Sequence, residues 1–311
     1  MNEAEKPTIG IPRALLYHRY GNLWRGYFEN LGVKTILSPI TNREILETGS
    51  ALAMDESCLS AKIYLGHVQA LIGKCDWIFI PRYSSLGRDA VFCTRFEGLY
   101  DQVRNVFRSR SQKFISCDID QRNKHSEQSA YEDLGKRLGF SGKEAARAYA
   151  AAAKADARQW RELVQKQEDA YRRPGMKILV VGHSYILSDP YIGKPITDYL
   201  EKIGVFPLRA DVTDRNAALR ESVNFSPTCR WLMSRELIGS VTLHQDKVDG
   251  VILLSAFPCG PDSMVNEMLT RRLSGMPVLN LVLDAQSGMA GVETRLESFV
   301  DIIRFKEGEP V

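Results

Sequence analysis

Three cysteines stand where a polypeptide can present a ligand. Cys58 lies in Glu56-Ser57-Cys58-Leu59-Ser60-Ala61-Lys62, Cys93 in Phe92-Cys93-Thr94-Arg95-Phe96, and Cys259 in Pro258-Cys259-Gly260-Pro261-Asp262-Ser263. Two of them come just past a strand-like run, and two come at the start of a helical one. A thiol at a helix start gains from the partial positive charge and the free backbone N–H groups there. That placement predicts a lowered pKa and suits the thiol to bind iron or to act as a nucleophile. The trio reads as a metal-cluster site, against the competing reading of loop cysteines that are only exposed or packed. Closely spaced cysteines of the ferredoxin kind are absent, and so are the paired Cys or His ligands of a zinc site.

The chain has six cysteines. Cys75 precedes a strand and Cys117 ends one, positions where a free cysteine serves as a small buried hydrophobe. Cys229, in Ser226-Pro227-Thr228-Cys229-Arg230-Trp231, lies before a helix and is either a fourth ligand or redox partner, or buried. The five histidines are scattered and form no ligand pair. His67 follows Gly66 beyond Cys58 and either lines a cleft or caps packing. His183, in Gly182-His183-Ser184-Tyr185 after a strand, suits polar contact with a bound group, and His244 reads as a helix-end residue. Lys62, His67 and His183 are the candidates for proton or charge handling. Asp262 and Ser263 read first as caps of the helix that follows Cys259. In the glycine-containing stretch from Asp284 to Glu297, Arg295 and Glu297 are placed to form an ion pair, and the loop reads as anchored near the cluster.

What must position these groups is an alternation of apolar runs with helical patterns. Runs at Ile9 to Leu15, Val33 to Ser38, Trp77 to Pro81 and Phe114 to Asp118 are separated by helices near Asn22 to Leu31, Ala61 to Ile72 and Gly98 to Phe107. Runs at Met176 to Val181, Val205 to Leu208, Val251 to Ser255 and Val278 to Leu283 alternate in the same way with helices near Gly193 to Ile203, Trp231 to His244, Asp262 to Leu273 and Val292 to Ile303. Such alternation predicts an α/β protein of two flavodoxin- or Rossmann-like parallel-sheet domains. The boundaries expected are 1–120 for the N-terminal α/β domain, 121–173 for a helical insert or linker, and 174–311 for the C-terminal α/β domain. The insert is rich in Ala, Lys, Arg, Gln and Glu, with high helix propensity and a charged, solvated face. The halves match in detail. Cys75-Asp76-Trp77 and Val248-Asp249-Gly250 lead equivalent strands, each followed by one of the three cysteines. Two such domains facing each other would bring Cys93 and Cys259 together at the carboxyl ends of their strands, where ligands of open α/β sheets bind.

Composition narrows the function. With 44% apolar and 25% charged residues, the 311-residue chain has the makings of real cores and little disorder. A formal charge of +3 with dispersed Lys and Arg shows no nucleic-acid footprint. No apolar run approaches the roughly 18 residues of a membrane span. The N-terminus, Met1-Asn2-Glu3-Ala4-Glu5-Lys6-Pro7, is a polar stub without a signal-peptide core, so a cytoplasmic location is expected. In a reducing compartment the cysteines are thiols or metal ligands rather than disulfides. The turns after Ile9 and Val181 lack both Gly-x-Gly-x-x-Gly and a phosphate-loop motif, so nucleotide binding of those kinds is not expected.

Glu56-Ser57-Cys58 with Lys62 and Gly66-His67, Ile80-Pro81-Arg82 leading to Phe92-Cys93, Cys259-Gly260-Pro261-Asp262-Ser263, and Leu283-Asp284 through Ala290-Gly291 to Thr294-Arg295 and Glu297 form an ordered set of motifs. Together they resemble the 2-hydroxyacyl-CoA dehydratase and benzoyl-CoA reductase superfamily, nearest its acyl-CoA dehydratase activase-related branch. The resemblance implies an iron–sulfur cluster held by Cys58, Cys93 and Cys259 between flavodoxin-like domains, either a 4Fe–4S cluster with one open iron or a double-cubane cluster. It further implies low-potential electron transfer to a small molecule or acyl-CoA, an ATP-dependent iron–sulfur activator or other low-potential electron donor as partner, and a possible dimer. The alternative is a non-catalytic cluster carrier, scaffold or regulator that docks to such an activator. Relatives often show Cys-Pro where this chain has Cys93-Thr94, and the lack of a phosphate-binding motif assigns any ATP-driven step to a separate partner.

Overall fold

A computed structural model describes residues 6–286 and 288–307. The polar stub before Lys6 and Ser287 in the loop after Asp284 lie outside the described residues. The chain divides into two compact units, the first made of the residues up to Asp55 with Ala61–Trp160, the second of Glu56–Ser60 with the chain from Arg161 onward.

The first unit is built on β1 (Ile9–Ile11), β2 (Thr35–Leu37), β3 (Trp77–Phe79) and β5 (Lys113–Ile115), all parallel, in the order β2-β1-β3-β5. Two further strands, β4 (Arg82–Ser85) and β6 (Asp118–Asp120), pair with each other in a separate two-stranded parallel ladder. Helices α1 (Tyr17–Asn30), α2 (Arg43–Leu52), α3 (Leu59–Gln69), α4 (Thr94–Glu97), α5 (Leu99–Val106) and α6 (Glu127–Arg137) are threaded between them, and α7 (Gly142–Ala170) follows. The strand expected over Ile9 to Leu15 ends at Ile11, and buried Leu15 turns the chain through a left-handed φ of 51° into α1. The core is aromatic. Trp24 and Phe28 of α1 both meet Phe79 edge-on at 5.4 Å, and Tyr20 stacks on Tyr83 at 5.2 Å. Such pairs add to the apolar area they bury.

The second unit carries β7 (Lys177–Val181), β8 (Phe206–Arg209), β9 (Gly250–Ala256) and β10 (Val278–Leu283) in the order β10-β9-β7-β8, again all parallel. Its helices are α8 (Ser184–Leu187), α9 (Lys194–Lys202), α10 (Arg215–Phe225), α11 (Leu232–His244), α12 (Gly260–Arg272) and α13 (Met289–Glu307). Every residue of β9 is buried, as a central parallel strand covered on both faces requires. Counted within each main sheet, both units have the strand order 2-1-3-4, so the second half repeats the first. The expected helical segment at 121–173 contains α6 and α7, and the division between the units falls inside α7.

Two local devices recur in both halves. Asp76, just before β3, accepts hydrogen bonds at Oδ2 from the Thr8 backbone N–H (2.7 Å) and hydroxyl (2.8 Å) at the head of β1. Asp249, just before β9, accepts one at Oδ2 from the Lys177 backbone N–H (2.6 Å) at the head of β7. The Thr8 hydrogen bonds hold the Asp76 carboxyl below its usual range. The second device is a glycine at a helix crossing. A Cβ on Gly66 of α3 would lie 2.0 Å from the Ile45 carbonyl oxygen of α2, and one on Gly239 of α11 would lie 1.8 Å from the Ala218 carbonyl oxygen of α10. The flanking sequences align, Leu59 with Leu232, Gly66 with Gly239 and Val68 with Val241. No helix among the described residues is long and apolar enough to cross a membrane.

Gly66→Ala and Gly239→Ala each force backbone apart from backbone. Each is expected to lower unfolding stability by about 1–3 kcal/mol, read from the urea midpoint, whereas alanine at open Gly260 should leave the midpoint within error.

Candidate functional site

All three singled-out cysteines immediately precede a helix: Cys58 before α3, Cys93 at the N-cap of α4 and Cys259 at the N-cap of α12. Cys93 and Cys259 are topological equivalents, because each follows the third strand of its main sheet, with β4 intervening in the first unit. Cys58 groups with the second unit, where Leu59 N–H donates to the Phe257 carbonyl at 2.9 Å. That bond ties the start of α3 to the loop that delivers Cys259. The two thiols, about two hundred residues apart in sequence, come close enough for Cys58 to act electrostatically on Cys259.

The expectation of a lowered thiol pKa is overturned at Cys259. Burial pushes this thiol up, and the carboxylate of Asp262 and the sulfur of Cys58 push the same way. The Asp262 backbone N–H opposes them only in part and closes no cap hydrogen bond to the side chain. A helix start favours a thiolate only where neither low polarity nor a carboxylate disfavours it. Any ligand requiring the thiolate must displace a proton here.

Asp262 does more than cap. Its Oδ1 lies 2.8 Å from His183 Nε2, and both side chains are buried. Burial alone would depress His183, but the Asp262 carboxylate overrides it and holds the imidazole above its ordinary value. Conversely, burial alone would raise Asp262, and His183 holds it below. The pair is therefore an imidazolium–carboxylate pair, and its contribution is lost at both ends of the pH scale. It fades as pH rises through the raised His183 value and as pH falls through the depressed Asp262 value. The ring stacks on Tyr185 at 5.0 Å. His183 Nδ1 and Asp262 Oδ2 are buried without a hydrogen-bond partner, as is the Ser184 hydroxyl.

His67 is held differently. It is fully buried in the first unit, with Nδ1 2.8 Å from the Ser38 hydroxyl and Nε2 3.0 Å from the Thr41 hydroxyl. Burial first, then the charges of His18 and Arg13, push its pKa down to about 3. Both ring nitrogens are occupied, so the ring acts here as a neutral link between the segment after β2 and helix α3. Lys62 lies half-buried on α3. Cys117 is fully buried, Cys75 half-buried against Gly10, and Cys229 packs at the edge of the second unit's core. The expected Arg295–Glu297 pair gives way to other partners. Arg295 donates to the Asn280 carbonyl at 2.6 Å and Glu297 accepts from the Tyr199 hydroxyl.

Among the described residues, no three His, Cys, Asp or Glu side chains are gathered where they could hold a metal ion. Of the three cysteines, Cys58 and Cys259 lie within electrostatic reach of each other in the second unit, and Cys93 belongs to the first.

Residues 8–212, about two thirds of the chain, match the family described as CoA enzyme activase uncharacterised domain (DUF2229). The chain belongs to that family. The activase-domain match takes in Cys58, Lys62, His67, Cys93 and His183 and stops short of Cys259 and Asp262. No curated protein matches the chain. Among solved structures, it is similar to a LacI family transcriptional regulator from Arthrobacter sp. FB24 in complex with lactose. That likeness has 14% identity over 94% of this chain and 90% of that one, with a TM-score of 0.22.

Two predictions follow from the buried histidines. An unfolded His67 takes up a proton near 6.5 while the folded one does not, so folding stability falls as pH drops below that value, by at most about 1.4 kcal/mol per pH unit. Urea unfolding at about pH 7.5 and about pH 5.5 should show the unsubstituted chain losing about 1 kcal/mol more than His67→Gln. Asp262→Asn leaves a buried imidazole without its counter-charge and should cost about 3 kcal/mol in the same assay.

Proposed function

We propose that this activase-family chain is an iron–sulfur protein of low-potential electron transfer, with Cys58, Cys93 and Cys259 as its ligands. A small molecule or acyl-CoA would be the acceptor. The electron donor would be an ATP-dependent iron–sulfur activator or another low-potential protein. The single observation that carries the reading is the meeting of Cys58 and Cys259 within one unit, across some two hundred residues of sequence, each at a helix start. When bound, a cluster held by three thiolates supplies one-electron chemistry and leaves one iron open to a further ligand. The chain's own contribution is to bury Cys259, to offer backbone N–H groups at the three helix starts, and to keep a proton on His183 through Asp262. Hydrogen bonds and burial of this kind set cluster potentials. Membership of the CoA enzyme activase domain family supports an acyl-CoA enzyme as partner.

A second reading, a carrier or regulator that docks to an activator, is favoured by large apolar side chains on the Cys259 loop and helix. Phe257 is 57% exposed and Met264 59% exposed.

Anaerobic reconstitution with iron and sulfide, read by metal counts, visible absorption and EPR of the reduced protein, tests the proposal. The unsubstituted chain is expected to bind a cluster stoichiometrically, and Cys58→Ser, Cys93→Ser and Cys259→Ser each to lose most of it while keeping the urea midpoint. Retention of iron in the triple variant would sink the proposal. Because Cys259 must give up a proton, cluster uptake should become more complete as pH is raised. Cluster-dependent oxidation by a thioester acceptor separates electron transfer to substrate from the carrier reading.

A further inference from the structure

In the first unit, a cavity of about 370 Å³ opens at the amino ends of β3 and β5, away from the strand ends that lead toward Cys93. Its walls are the turn after α3 and the turn before β5, which supply Cys75, Asp76, Arg110, Ser111, Gln112 and Lys113.

Which of these groups remain for a ligand can be found by subtraction. Gln112 is a strut: its Oε1 accepts from Gly73 N–H at 2.9 Å, and its Nε2 donates to the carbonyls of Cys75, Asp76 and Lys113 at 3.1–3.2 Å. It fixes one wall to the other and has no amide hydrogen in reserve. The Asp76 carboxylate, the acidic group of the lining, accepts from the N–H and hydroxyl of Thr8 and is held ionised by them and by the charge of Lys113, so it offsets one of the two cations. The Cys75 thiol points back at the Leu71 carbonyl, 3.7 Å away. What is left is two cations against that one carboxylate, with a hydroxyl beside them. The Arg110 guanidinium and Ser111 hydroxyl have no side-chain partner among the described residues, and the Lys113 ammonium rests over the Trp77 ring at 5.5 Å. A guanidinium, an ammonium and a hydroxyl on a braced wall are the donor set that phosphate oxygens use, Arg as a bidentate fork and Lys as a point charge.

We propose that this cavity binds a phosphate group, as the free ion or carried by a small molecule, through Arg110, Ser111 and Lys113. The volume exceeds what a single phosphate fills and falls in the range of small-molecule sites, so a compact phosphate ester such as a nucleoside diphosphate fits it. The inference is independent of the cysteines.

Calorimetric titration of the full chain with inorganic phosphate and with ADP tests it. Saturable one-to-one binding of at least one of the two is expected. Arg110→Gln and Lys113→Gln should each weaken it by about tenfold, the loss of one charge-assisted contact. Lys74→Gln, a neighbouring cation outside the cavity lining, should leave it unchanged. All three positions are exposed, so the folds of the variants should hold, which urea midpoints check. Binding of ADP tighter than phosphate identifies an ester as the ligand; equal binding identifies the free ion. Absence of saturable heat with either probe, or equal weakening by Lys74→Gln, overturns the proposal, the latter because it would mean a diffuse positive field without a site.

Discussion

A single aspartate at the head of the third strand of each main sheet governs how that sheet is assembled. Asp76 and Asp249 reach across to the first residue or turn of β1 and β7, and their backbone N–H groups return the contact to the Thr8 and Lys177 carbonyls. These bonds fix the pairing of Ile9 with Trp77 and of Ile178 with Gly250. A slip of one residue would turn every side chain of a strand to the opposite face. In a parallel sheet covered on both faces it would also shift the carboxyl end, where the loops to Cys93 and Cys259 begin. The placement of the cysteines thus depends on a tether at the far end of the same strands.

Much of this was legible in the sequence for a plain reason. Buried parallel strands are continuous apolar runs, and β1, β3, β7 and β9 announce themselves that way, while β2, β5, β8 and β10 lie within apolar-rich stretches but are less buried. The matching Asp-led strands also pointed to a repeat, which the shared strand order bears out. Missed were β4 and β6, whose sequences Arg-Tyr-Ser-Ser and Asp-Ile-Asp carry no apolar run and which form a ladder apart from the main sheet. Helices α2 and α10 were missed too, although Asn42 and Asp214 cap them with side-chain hydrogen bonds to the N–H groups of Ile45 and Ala217, a signal present in the sequence. The glycine crossings were readable only by setting the two halves side by side.

The site was less legible, because its properties are set by neighbours distant in sequence. Nothing local to Cys259 predicts burial strong enough to outweigh its helix start, and the nearby Asp262 was read as a cap when its carboxylate also faces His183. His67 was weighed between lining a cleft and capping packing. The two hydroxyls that settle its hydrogen bonding, Ser38 and Thr41, lie on the far side of a helix and a turn. Arg295 and Glu297, two apart on a helix, were read as partners, but residues at that spacing do not face each other.

The repeat also bears on why cysteines are singled out in threes. A duplicated fold supplies candidate positions in pairs, and Cys93 with Cys259 is such a pair, each at the N-cap that follows the third strand. Cys58 breaks the symmetry. When Gly66 is set on Gly239 and Leu59 on Leu232, the residue facing Cys58 is Trp231, the N-cap of α11, and the second half has no thiol there. Both helices nonetheless cross their neighbours at the matching glycine. Cys58 thus occupies a corner where the other half carries a bulky aromatic, and it lies in the unit where Cys259 comes within its electrostatic reach.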